Sequence, residues 1–478
     1  MYVLYFLLVT ILLLIAVILI RTLRFKPLPQ PKIIDDSVNF NREESISALQ
    51  QLVRCKTISF YNKELEDDAE FEKLISLLPN LYPHVFSTCE FKKLPDRALL
   101  FKWAGKNSDN PTVLMAHYDV VPVNEESWQK PPFDAIIEDD VLWGRGTLDT
   151  KVTFNGVLFA ANTLINEGFV PQNDIYFAFS GGEEVNGNGA KNIVNYFKEN
   201  NIIPSLVVDE GGAVVENVFP GVKAPCAMIG IAEKGMLNLT FSVKSNGGHA
   251  SSPAPHTPIG ILSRACCKLE NNPFKMHITK PAAEMFNTLG RYSSFVYRMI
   301  FANMWLFGGV LNIICKKSGG ELNALLRTTV AFTQCEGSQA PNVIPPVATM
   351  TANLRINPKD TVESAVEYIR KTINDENVEL IVGSNMQPSR ISQINCSSWD
   401  RVAYAVANTW KGSIVTPYLM VQCSDCRHWG EISDKVYRFS AMDLTAEERK
   451  TIHGHNERIR LETANRAVEF YIRLIKES

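Results

Sequence analysis

The chain has 478 residues, too many for one ordinary domain core, so two or three domains are expected. Hydrophobic residues make up 46% of the chain and charged residues 21%, a balance that excludes a disordered protein. The net charge of −3 comes without any basic run, which excludes a nucleic-acid-binding surface, and we expect no nucleic-acid partner.

The chain begins with an apolar segment. Residues 2–20 carry no charged side chain and are long enough to cross the hydrocarbon core of a bilayer as a helix. The basic start, short apolar core and small-residue cleavage site of a secretory signal peptide are missing. We therefore expect an uncleaved single-pass transmembrane anchor over residues 1–25, followed by a proline-containing linker over residues 26–44.

Two features favour opposite sides of the membrane for the rest of the chain. Arg21, Arg24 and Lys26 follow the apolar segment, and the positive-inside rule alone would keep the protein in the cytosol. Two glycosylation sequons, which begin at Asn238 and Asn395, matter only in a lumenal or extracellular domain. We expect a lumenal, vacuolar or extracellular catalytic domain, with the cytosol as the alternative.

Strands and helices alternate after the linker. Strands are predicted at 112–116, 175–179 and 206–208, and helices at 151–166 and 190–198. This alternation is typical of parallel strands joined by crossover helices, which is an α/β fold. In such sheets ligands bind beyond the carboxyl ends of the strands.

The pattern changes near residue 235. Residues 237–243 and 347–356 alternate apolar and polar side chains, as half-exposed antiparallel strands do. We therefore expect an inserted α+β domain over residues 235–384. It interrupts an α/β catalytic domain formed by residues 45–234 and 385–478, which ends with a helix at 461–475.

An apolar run inside the predicted insertion has several interpretations. Residues 299–315 hold two glycines and two asparagines, so a second membrane span would be short and interrupted. A buried or groove-lining helix is the favoured interpretation. The wider aromatic-rich segment 295–314 could floor a groove for a fatty acyl chain, but large apolar side chains more often form core, here that of a lid.

Acidic and histidine-bearing motifs recur in a fixed order along the chain, each near the end of a predicted strand. Carboxylates and imidazoles gathered at strand ends predict a metal site at one edge of the sheet. His117 and Asp119 are two residues apart, so in extended backbone they face the same way, and the carboxylate can fix the tautomer of a ligating imidazole. The alternative is a core histidine beside a surface aspartate.

Asp149 directly precedes a predicted helix. Its carboxylate could bridge two cations about 3.5–4 Å apart, or it could simply cap the helix. Glu183 and Glu184 are adjacent, so their side chains diverge. Glu184 is predicted to bind metal while Glu183 serves as the general base, and a solvated acidic turn is the alternative.

The remaining candidates come in two pairs. Strand alternation allows only one of Asp209 and Glu210 to face the site. One histidine of the pair His453 and His455 would complete a mixed imidazole and carboxylate set, which suits zinc. Together with the earlier residues, the set predicts a dizinc hydrolase site.

Seven collinear motifs carry a likeness to a known family. They begin at His117 (HYDVVP), Trp143 (WGRGTLD), Glu183 (EE), Asp209 (DEGG), Gly248 (GHAS), Asn342 (NVIPP) and His453 (HGHNE). From about residue 45 to the C-terminus the chain resembles the dizinc exopeptidase and aminoacylase family. Within that family it is most similar to the branch of vacuolar carboxypeptidase S and N-fatty-acyl-amino-acid synthase/hydrolase.

The resemblance implies a zinc-peptidase-like α/β catalytic domain, an inserted lid and dimerisation domain, two zinc ions per chain and a homodimer. It implies that Asp149 bridges the two ions, that Glu183 is the base and that Asp119 is a supporting acid. It leaves His455 outside the metal site. The metal ligands that it implies are His117, Asp149, Glu184, His453 and one of Asp209 and Glu210.

The resemblance also implies roles for three residues of the insertion. His249 would steady the oxyanion in the active site of a neighbouring subunit. Asn342 and Arg355 would hold the carbonyl and the free carboxylate of the substrate. The planar fork of arginine suits a carboxylate, although an exposed strand residue is the alternative for Arg355.

The chain departs from the family pattern at three places. Gly182 and Thr150 stand where the family usually has acids, and residues 422–428 lack the usual glycines while Asp425 and Arg427 remain. No implied metal ligand is lost. The departures therefore concern rate and substrate range more than the type of chemistry.

We therefore expect an enzyme, a membrane-anchored dizinc metallohydrolase. It would cleave, or reversibly form, the amide bond of N-acyl amino acids or peptides next to a free carboxylate. Its partners would be that small-molecule or peptide substrate, the membrane through residues 2–20, and a second copy of the chain. The alternatives are a carboxypeptidase acting on peptides and a non-catalytic membrane-anchored binding protein, which should have lost metal ligands.

Overall fold

The computed structural model describes residues 1–478. The helices are α1 (Tyr2–Arg24), α2 (Arg42–Val53), α3 (Asp68–Leu81), α4 (Pro83–Thr88), α5 (Lys151–Asn166), α6 (Gly189–Glu199), α7 (Pro258–Asn271), α8 (Lys280–Tyr292), α9 (Phe295–Ala302), α10 (Met304–Ser318), α11 (Gly320–Leu326), α12 (Val362–Ile373), α13 (Ser397–Thr409), α14 (Ala446–Arg449) and α15 (Leu461–Lys476). The strands are β1 (Glu90–Leu94), β2 (Ala98–Trp103), β3 (Asn107–His117), β4 (Ile136–Glu138), β5 (Val141–Trp143), β6 (Asn173–Ser180), β7 (Leu206–Val215), β8 (Cys226–Glu233), β9 (Gly235–Lys244), β10 (Gly248–His249), β11 (Thr329–Glu336), β12 (Val343–Ile344), β13 (Val347–Ile356), β14 (Glu379–Met386), β15 (Ile414–Met420), β16 (Val436–Leu444) and β17 (Arg458–Arg460).

The largest sheet has eight strands in the order β1-β2-β6-β3-β7-β16-β8-β15. The four central strands β6, β3, β7 and β16 run parallel to one another. They read as continuous apolar runs because helices cover both faces of the sheet. Helices α5 and α15 pack on one face, and α6 packs on the other. The predicted α/β fold is therefore confirmed, and the helix predicted at 151–166 matches α5 to the residue.

A four-stranded antiparallel sheet forms a second layer, in the order β11-β13-β9-β14. Its alternating strands turn one apolar face toward α7 and α12, with Leu239 and Phe241 of β9 in that core. The other face is polar, and there Thr240 and Thr351 are hydrogen-bonded through their hydroxyls at 3.0 Å. We call this sheet with its two helices the small domain.

Helices α8 to α11 do not belong to the small domain, although they lie within the predicted insertion of residues 235–384. Apolar side chains of α8, such as Met285 and Leu289, pack in the core of the large sheet. The chain between α7 and β11 thus returns to the large sheet and leaves it again. The exact domain boundaries stay a prediction.

The expectation of one buried or groove-lining helix over residues 299–315 is wrong. Helices α9 and α10 meet there at an angle of 111°. The break falls at Asn303, whose fully buried side chain donates hydrogen bonds to α1 instead of lying on a continuous helix surface. The lid-core interpretation is wrong as well, because Phe301 and Leu311 pack with the core of the large sheet.

Helix α1 is long and apolar enough to cross a membrane, with a mean hydropathy of 3.3. Its side chains are exposed along almost the whole length, and only Thr22 near its end is buried. An apolar helix that is exposed along most of its length has the surface that a lipid environment requires.

Candidate metal centre

The predicted ligands converge at the carboxyl edge of the large sheet. His117 is the last residue of β3, Glu183 and Glu184 follow β6 in a short 3-10 helix, and Glu210 lies in β7. Because β6, β3 and β7 are parallel neighbours, their carboxyl ends lie side by side. The loop before α5 adds Asp149 to the same edge.

The carboxylate of Asp149 lies between two histidines. Its Oδ1 is 3.0 Å from Nε2 of His117, and its Oδ2 is 2.9 Å from Nε2 of His453. Each histidine has a second carboxylate beside it. Glu210 Oε1 is 3.4 Å from His117 Nε2, and Glu184 Oε2 is 3.0 Å from His453 Nε2. The site is thus two imidazole–carboxylate groups that share one aspartate.

The neighbouring acids Asp209 and Glu210 point to opposite sides of β7. The carboxylate of Asp209 is buried and accepts a hydrogen bond from the backbone N–H of Cys426 at 2.9 Å, so it faces away from the two histidines. The following Gly211 has φ of 144°, which L side chains rarely adopt, and a Cβ on Gly212 would come within 1.8 Å of the Met228 carbonyl oxygen. The glycines thus let β7 pass close to its neighbours just after Glu210.

Asp119 supports both halves of the site from behind. Its two carboxylate oxygens accept hydrogen bonds from the backbone N–H groups of Glu183 and Glu184, at 3.1 and 3.2 Å. Nδ1 of His117, the ring nitrogen that faces away from Asp149, lies 3.1 Å from the backbone carbonyl oxygen of Asp119 and 3.4 Å from its carboxylate. Acceptors in this place fix the tautomer and the orientation of the imidazole.

Several acidic side chains are crowded together in this buried space. Burial raises the pKa of Glu184 to about 7, and the nearby Asp149 adds to this rise. Burial also raises the pKa of Glu210 to about 7, although His117 opposes the rise. Hydrogen bonds to Asp149 and Glu184 raise the pKa of His453 to about 11. Crowded carboxylates that hold a histidine protonated form a site that favours cations.

The donor set fits a metal centre. The ligand atoms of His117, Asp149 and Glu184 lie within 4.8 Å of one another, and so do those of His117, Glu183 and Glu210. Glu184 also keeps one buried carboxylate oxygen, Oε1, without a hydrogen-bond partner. Imidazole and carboxylate ligands at these positions have the chemistry that zinc accepts.

Glu183 differs from its neighbour Glu184 in its surroundings. Its side chain lines the pocket and has neither histidine as an ion-pair partner within 4 Å. Burial raises the pKa of Glu183 well above its ordinary value, and Asp425 and Glu210 add to this although His117 opposes it. A carboxyl group with a raised pKa is suited to take up and return a proton near neutral pH.

Sequence reasoning quoted Arg145 and Glu457 only as parts of motifs, yet these two residues tie the site together. Their buried side chains form an ion pair at 2.6 Å, and Arg145 also donates to the Gly454 carbonyl oxygen at 2.9 Å. The other oxygen of Glu457 accepts hydrogen bonds from the backbone N–H groups of Leu148 and Asp149. The pair therefore fixes the Asp149 loop against the His453 loop.

Asp425 is a third residue to which the sequence gave no role. It is buried beside the site, accepts a hydrogen bond from the hydroxyl of Ser180, and raises the pKa of Glu183. Burial raises the pKa of Asp425 itself, although Arg427 opposes this. The sequence signal was only that Asp425 and Arg427 persist where neighbouring family glycines do not.

A pocket of about 660 Å³ opens onto the site. Its polar wall includes Glu183, Glu184, Glu210 and His453. Half of the residues that line the pocket are hydrophobic, and three of them are the methionines Met228, Met420 and Met442. Helix α11 closes one side, where the hydroxyl of Tyr418 donates to Glu321 at 3.3 Å.

The three candidates from the predicted insertion lie in two places. The guanidinium of Arg355, on β13, donates to Sγ of Cys423 at 3.5 Å, and Cys423 lines the pocket. His249 and Asn342 lie together where β10 pairs with β12, and both are exposed. Neither lines the pocket of its own chain, and neither does His455, which is also exposed.

Comparison with known proteins gives consistent results along the chain. The sequence profile of peptidase family M20/M25/M40 matches residues 113–477. A probable carboxypeptidase S-like 2 of Dictyostelium discoideum is 33% identical over 97% of this chain and 92% of its own length. An N-fatty-acyl-amino acid synthase/hydrolase of Xenopus tropicalis is 35% identical over 98% of this chain and 94% of its own length.

A solved structure shares the fold. The M20-family metallo-carboxypeptidase of Sulfolobus solfataricus superposes with a TM-score of 0.67 at 17% sequence identity. The superposition covers 91% of this chain and 98% of the other, so it includes the large sheet as well as the small domain.

Proposed function

Because this chain belongs to peptidase family M20/M25/M40, we propose that it is a dizinc amidohydrolase which cleaves N-acyl amino acids next to their free carboxylate. The coarser statement, a carboxypeptidase-like hydrolase of a metallopeptidase family, rests on the family match and on the relatives. The observation that carries the finer proposal is the carboxylate of Asp149, which offers one oxygen toward each histidine.

We assign the ligands in two groups that share Asp149. His117 and Glu210 would complete one group, and Glu184 and His453 the other. When bound, two zinc ions would lower the pKa of a water molecule and polarise the carbonyl of the substrate. The orientation of Asp209 away from the histidines supports Glu210 as the ligand of that pair.

Glu183 is the proposed general base. It would accept a proton from the attacking water and return that proton to the nitrogen of the leaving amino acid. Its raised pKa supports the uptake of that proton, because burial favours the protonated form of this carboxyl group. Asp119 would hold the backbone of this glutamate in place.

Substrate recognition is proposed to involve the small domain. Arg355 would bind the free carboxylate, since its guanidinium lies beside pocket residue Cys423. His249 would contribute to the oxyanion site of a second chain, so the working form would be a homodimer. The exposure of His249 and Asn342 outside the pocket of their own chain supports this arrangement.

An acyl chain fits the pocket better than a second charged group does. Its hydrophobic lining, with three flexible methionines, can adapt to an extended hydrocarbon. The name of the Xenopus relative points the same way, and we extend the proposal to reversible formation of the same amide bond. The second candidate, a peptide carboxypeptidase, is favoured by the name of the Dictyostelium relative.

We propose that α1 is an uncleaved membrane anchor and that the catalytic part lies on the lumenal, vacuolar or extracellular side. The exposed apolar surface of α1 supports the anchor.

Metal content and hydrolysis of the full chain in mild detergent would test the function. We expect two zinc ions per chain and release of phenylalanine from N-oleoyl-phenylalanine, lost on chelation and restored by zinc. Faster cleavage of a short blocked dipeptide than of the oleoyl substrate would favour the peptidase. A chain that holds no metal and cleaves neither substrate would instead be a binding protein.

A further inference from the structure

Helices α9 and α10 form an apolar elbow on the surface. Large apolar side chains of this elbow are about half exposed, including Trp305 at 58% and Ile313 at 57%. The complete set with exposure above about a third is Phe295, Val296, Tyr297, Trp305, Leu306, Val310, Ile313 and Ile314. Isolated exposed apolar residues are ordinary, but a contiguous group of this size marks an interaction surface.

The exposed residues of α10 share one face of the helix. Residues 305, 306, 309, 310, 313 and 314 recur at helical spacing and include no charged or polar side chain except the indole N–H of Trp305. The opposite face packs inward through Leu311 and Cys315. Lys316 and Lys317 follow at the end of the helix. A helix in water would place polar residues on such an outer face.

The elbow is fastened to the end of α1. The side chain of Asn303, at the bend, donates hydrogen bonds to the carbonyl oxygen of Ile18 and to the hydroxyl of Thr22, both at 3.3 Å. Arg21 donates to the carbonyl oxygen of Ala302 through two nitrogens, at 3.2 and 3.1 Å. These contacts fix the position of the elbow along α1.

That position is at the edge of the proposed membrane span. The uncharged residues 2–20 would extend about 28 Å as a helix, close to the thickness of the hydrocarbon core. Ile18 lies inside this stretch, and Arg21 is the first charged residue after it. The bend at Asn303 therefore lies at the depth where hydrocarbon gives way to headgroups.

We propose that the α9–α10 elbow is a second membrane contact, in which α10 lies in the bilayer interface and seats the catalytic part on the membrane. This inference rests on the proposed anchor α1. The occupant of the apolar face is lipid, because the elbow is bound to the end of α1, a helix whose apolar side chains are exposed along most of its length. The bend of 111° excludes one straight span, whereas an interfacial helix needs only one apolar face. Trp305 is of the residue type that membrane interfaces favour, and Lys316 and Lys317 can reach lipid phosphates.

The α9–α10 elbow also lies near the pocket that opens onto the candidate metal site. Helix α11 directly follows α10 and supplies Gly320, Glu321 and Ala324 to the pocket wall. A lipid-seated α10 would thus bring that wall close to the membrane surface.

Fluorescence quenching by brominated lipid tests the inference. The full chain would be placed, one copy per nanodisc, in dioleoyl-phosphatidylcholine or in the same lipid brominated on its acyl chains. We expect bromine to quench part of the tryptophan emission in the unaltered chain. The Trp305→Phe variant should lose this quenched part. Trp399→Phe, on α13 and outside the elbow, is the matched control and should retain it.

Each other outcome overturns the inference. Equal quenching in Trp305→Phe and in the unaltered chain would place other tryptophans in the lipid. No quenching in single-copy discs, with blue-shifted Trp305 emission only in discs holding two chains, would assign the face to a second copy. Extraction of the chain by alkaline carbonate would reject both anchor and seat, whereas a retained chain without quenching would reject the seat alone.

Discussion

The carboxyl edge of the large sheet and the β10–β12 edge of the small domain both carry predicted site residues, but they are organised differently. At the first edge, parallel strands direct His117 and the acids inward, and His117 is only 2% exposed on its side chain. At the second, His249 and Asn342 lie on an antiparallel pair and face solvent. The candidate metal site is thus built within one chain, while the residues proposed for oxyanion and carbonyl binding are presented outward. The difference teaches that the first edge is arranged to gather ligands within one chain, whereas the second is arranged to meet something outside it.

The largest effect on activity should come from the carboxyl edge of the large sheet, where one chain supplies all the proposed metal ligands. Glu183→Gln should lower kcat by about 10³-fold, because general-base catalysis contributes on the order of 10²–10⁴. Zinc content should stay at two ions, since this glutamate is not assigned as a ligand. Metal analysis and N-oleoyl-phenylalanine hydrolysis measure the two quantities, with the exposed Glu199→Gln as control. Full activity in Glu183→Gln would remove the base assignment.

A different result is expected for His249, at the β10–β12 edge of the small domain. His249→Ala should lower kcat by about 10²-fold, the effect of losing one oxyanion donor, with zinc content unchanged. Mixed with Glu183→Gln under conditions of subunit exchange, it should regain about a quarter of normal activity, because half the dimers would hold one intact site. The exposed His256→Ala is the matched control for the single variant. A mixture that stays inactive would mean that His249 does not act across a dimer.

Arg355 lies on β13 of the small domain, beside the pocket residue Cys423, and should act on substrate binding. Arg355→Lys keeps the charge but loses the planar fork, so KM should rise about 10- to 100-fold with a smaller change in kcat. A substrate with a carboxamide in place of the carboxylate should lose most of this difference. Steady-state kinetics with both substrates separate the two parameters, with the exposed Arg390→Lys as control. An equal loss on both substrates would indicate a structural role.

The sequence predicted the large sheet well, because parallel strands and their crossover helices leave strong local patterns. The predicted helix 151–166 matches α5 to the residue, and in the small domain the predicted strand 347–356 matches β13 to the residue. The ligand candidates could be found because strand ends concentrate polar residues. The choice between Asp209 and Glu210 needed coordinates, since it depends on where the backbone N–H of Cys426 lies.

Long-range contacts explain most of what the sequence did not predict. The ion pair of Arg145 with Glu457 joins positions far apart in the chain, and no local spacing indicates it. The same holds for Asn303, whose partners are in α1. An apolar run that is broken by one asparagine looks like a single helix until the partner of that asparagine is known.

The smallest predicted effect concerns the junction of the large sheet and the small domain, where Lys234 lies between β8 and β9. Its ammonium donates to the carbonyl oxygens of Ala324 and Arg327, both at 2.8 Å. Burial lowers the pKa of Lys234 from 10.5 to about 7, and Arg355 adds to this. Between these values the unfolded chain binds more protons than the folded chain. The free energy of unfolding should therefore rise with pH from about 7 to 10.5, by at most about 1.4 kcal/mol per pH unit from this residue.

Lys234→Met should remove the contribution of this residue to the slope, whatever it does to stability at one pH. Guanidinium unfolding of the full chain in mild detergent at pH 7, 8 and 9 measures it, and the exposed Lys191→Met should keep the slope of the unaltered chain. Because Lys234 connects the two sheets through the end of α11, a lost slope would show that their junction stays closed and dry in the folded protein. The same slope in Lys234→Met and the unaltered chain would instead mean that water reaches this lysine, and that the large sheet and the small domain move apart in solution.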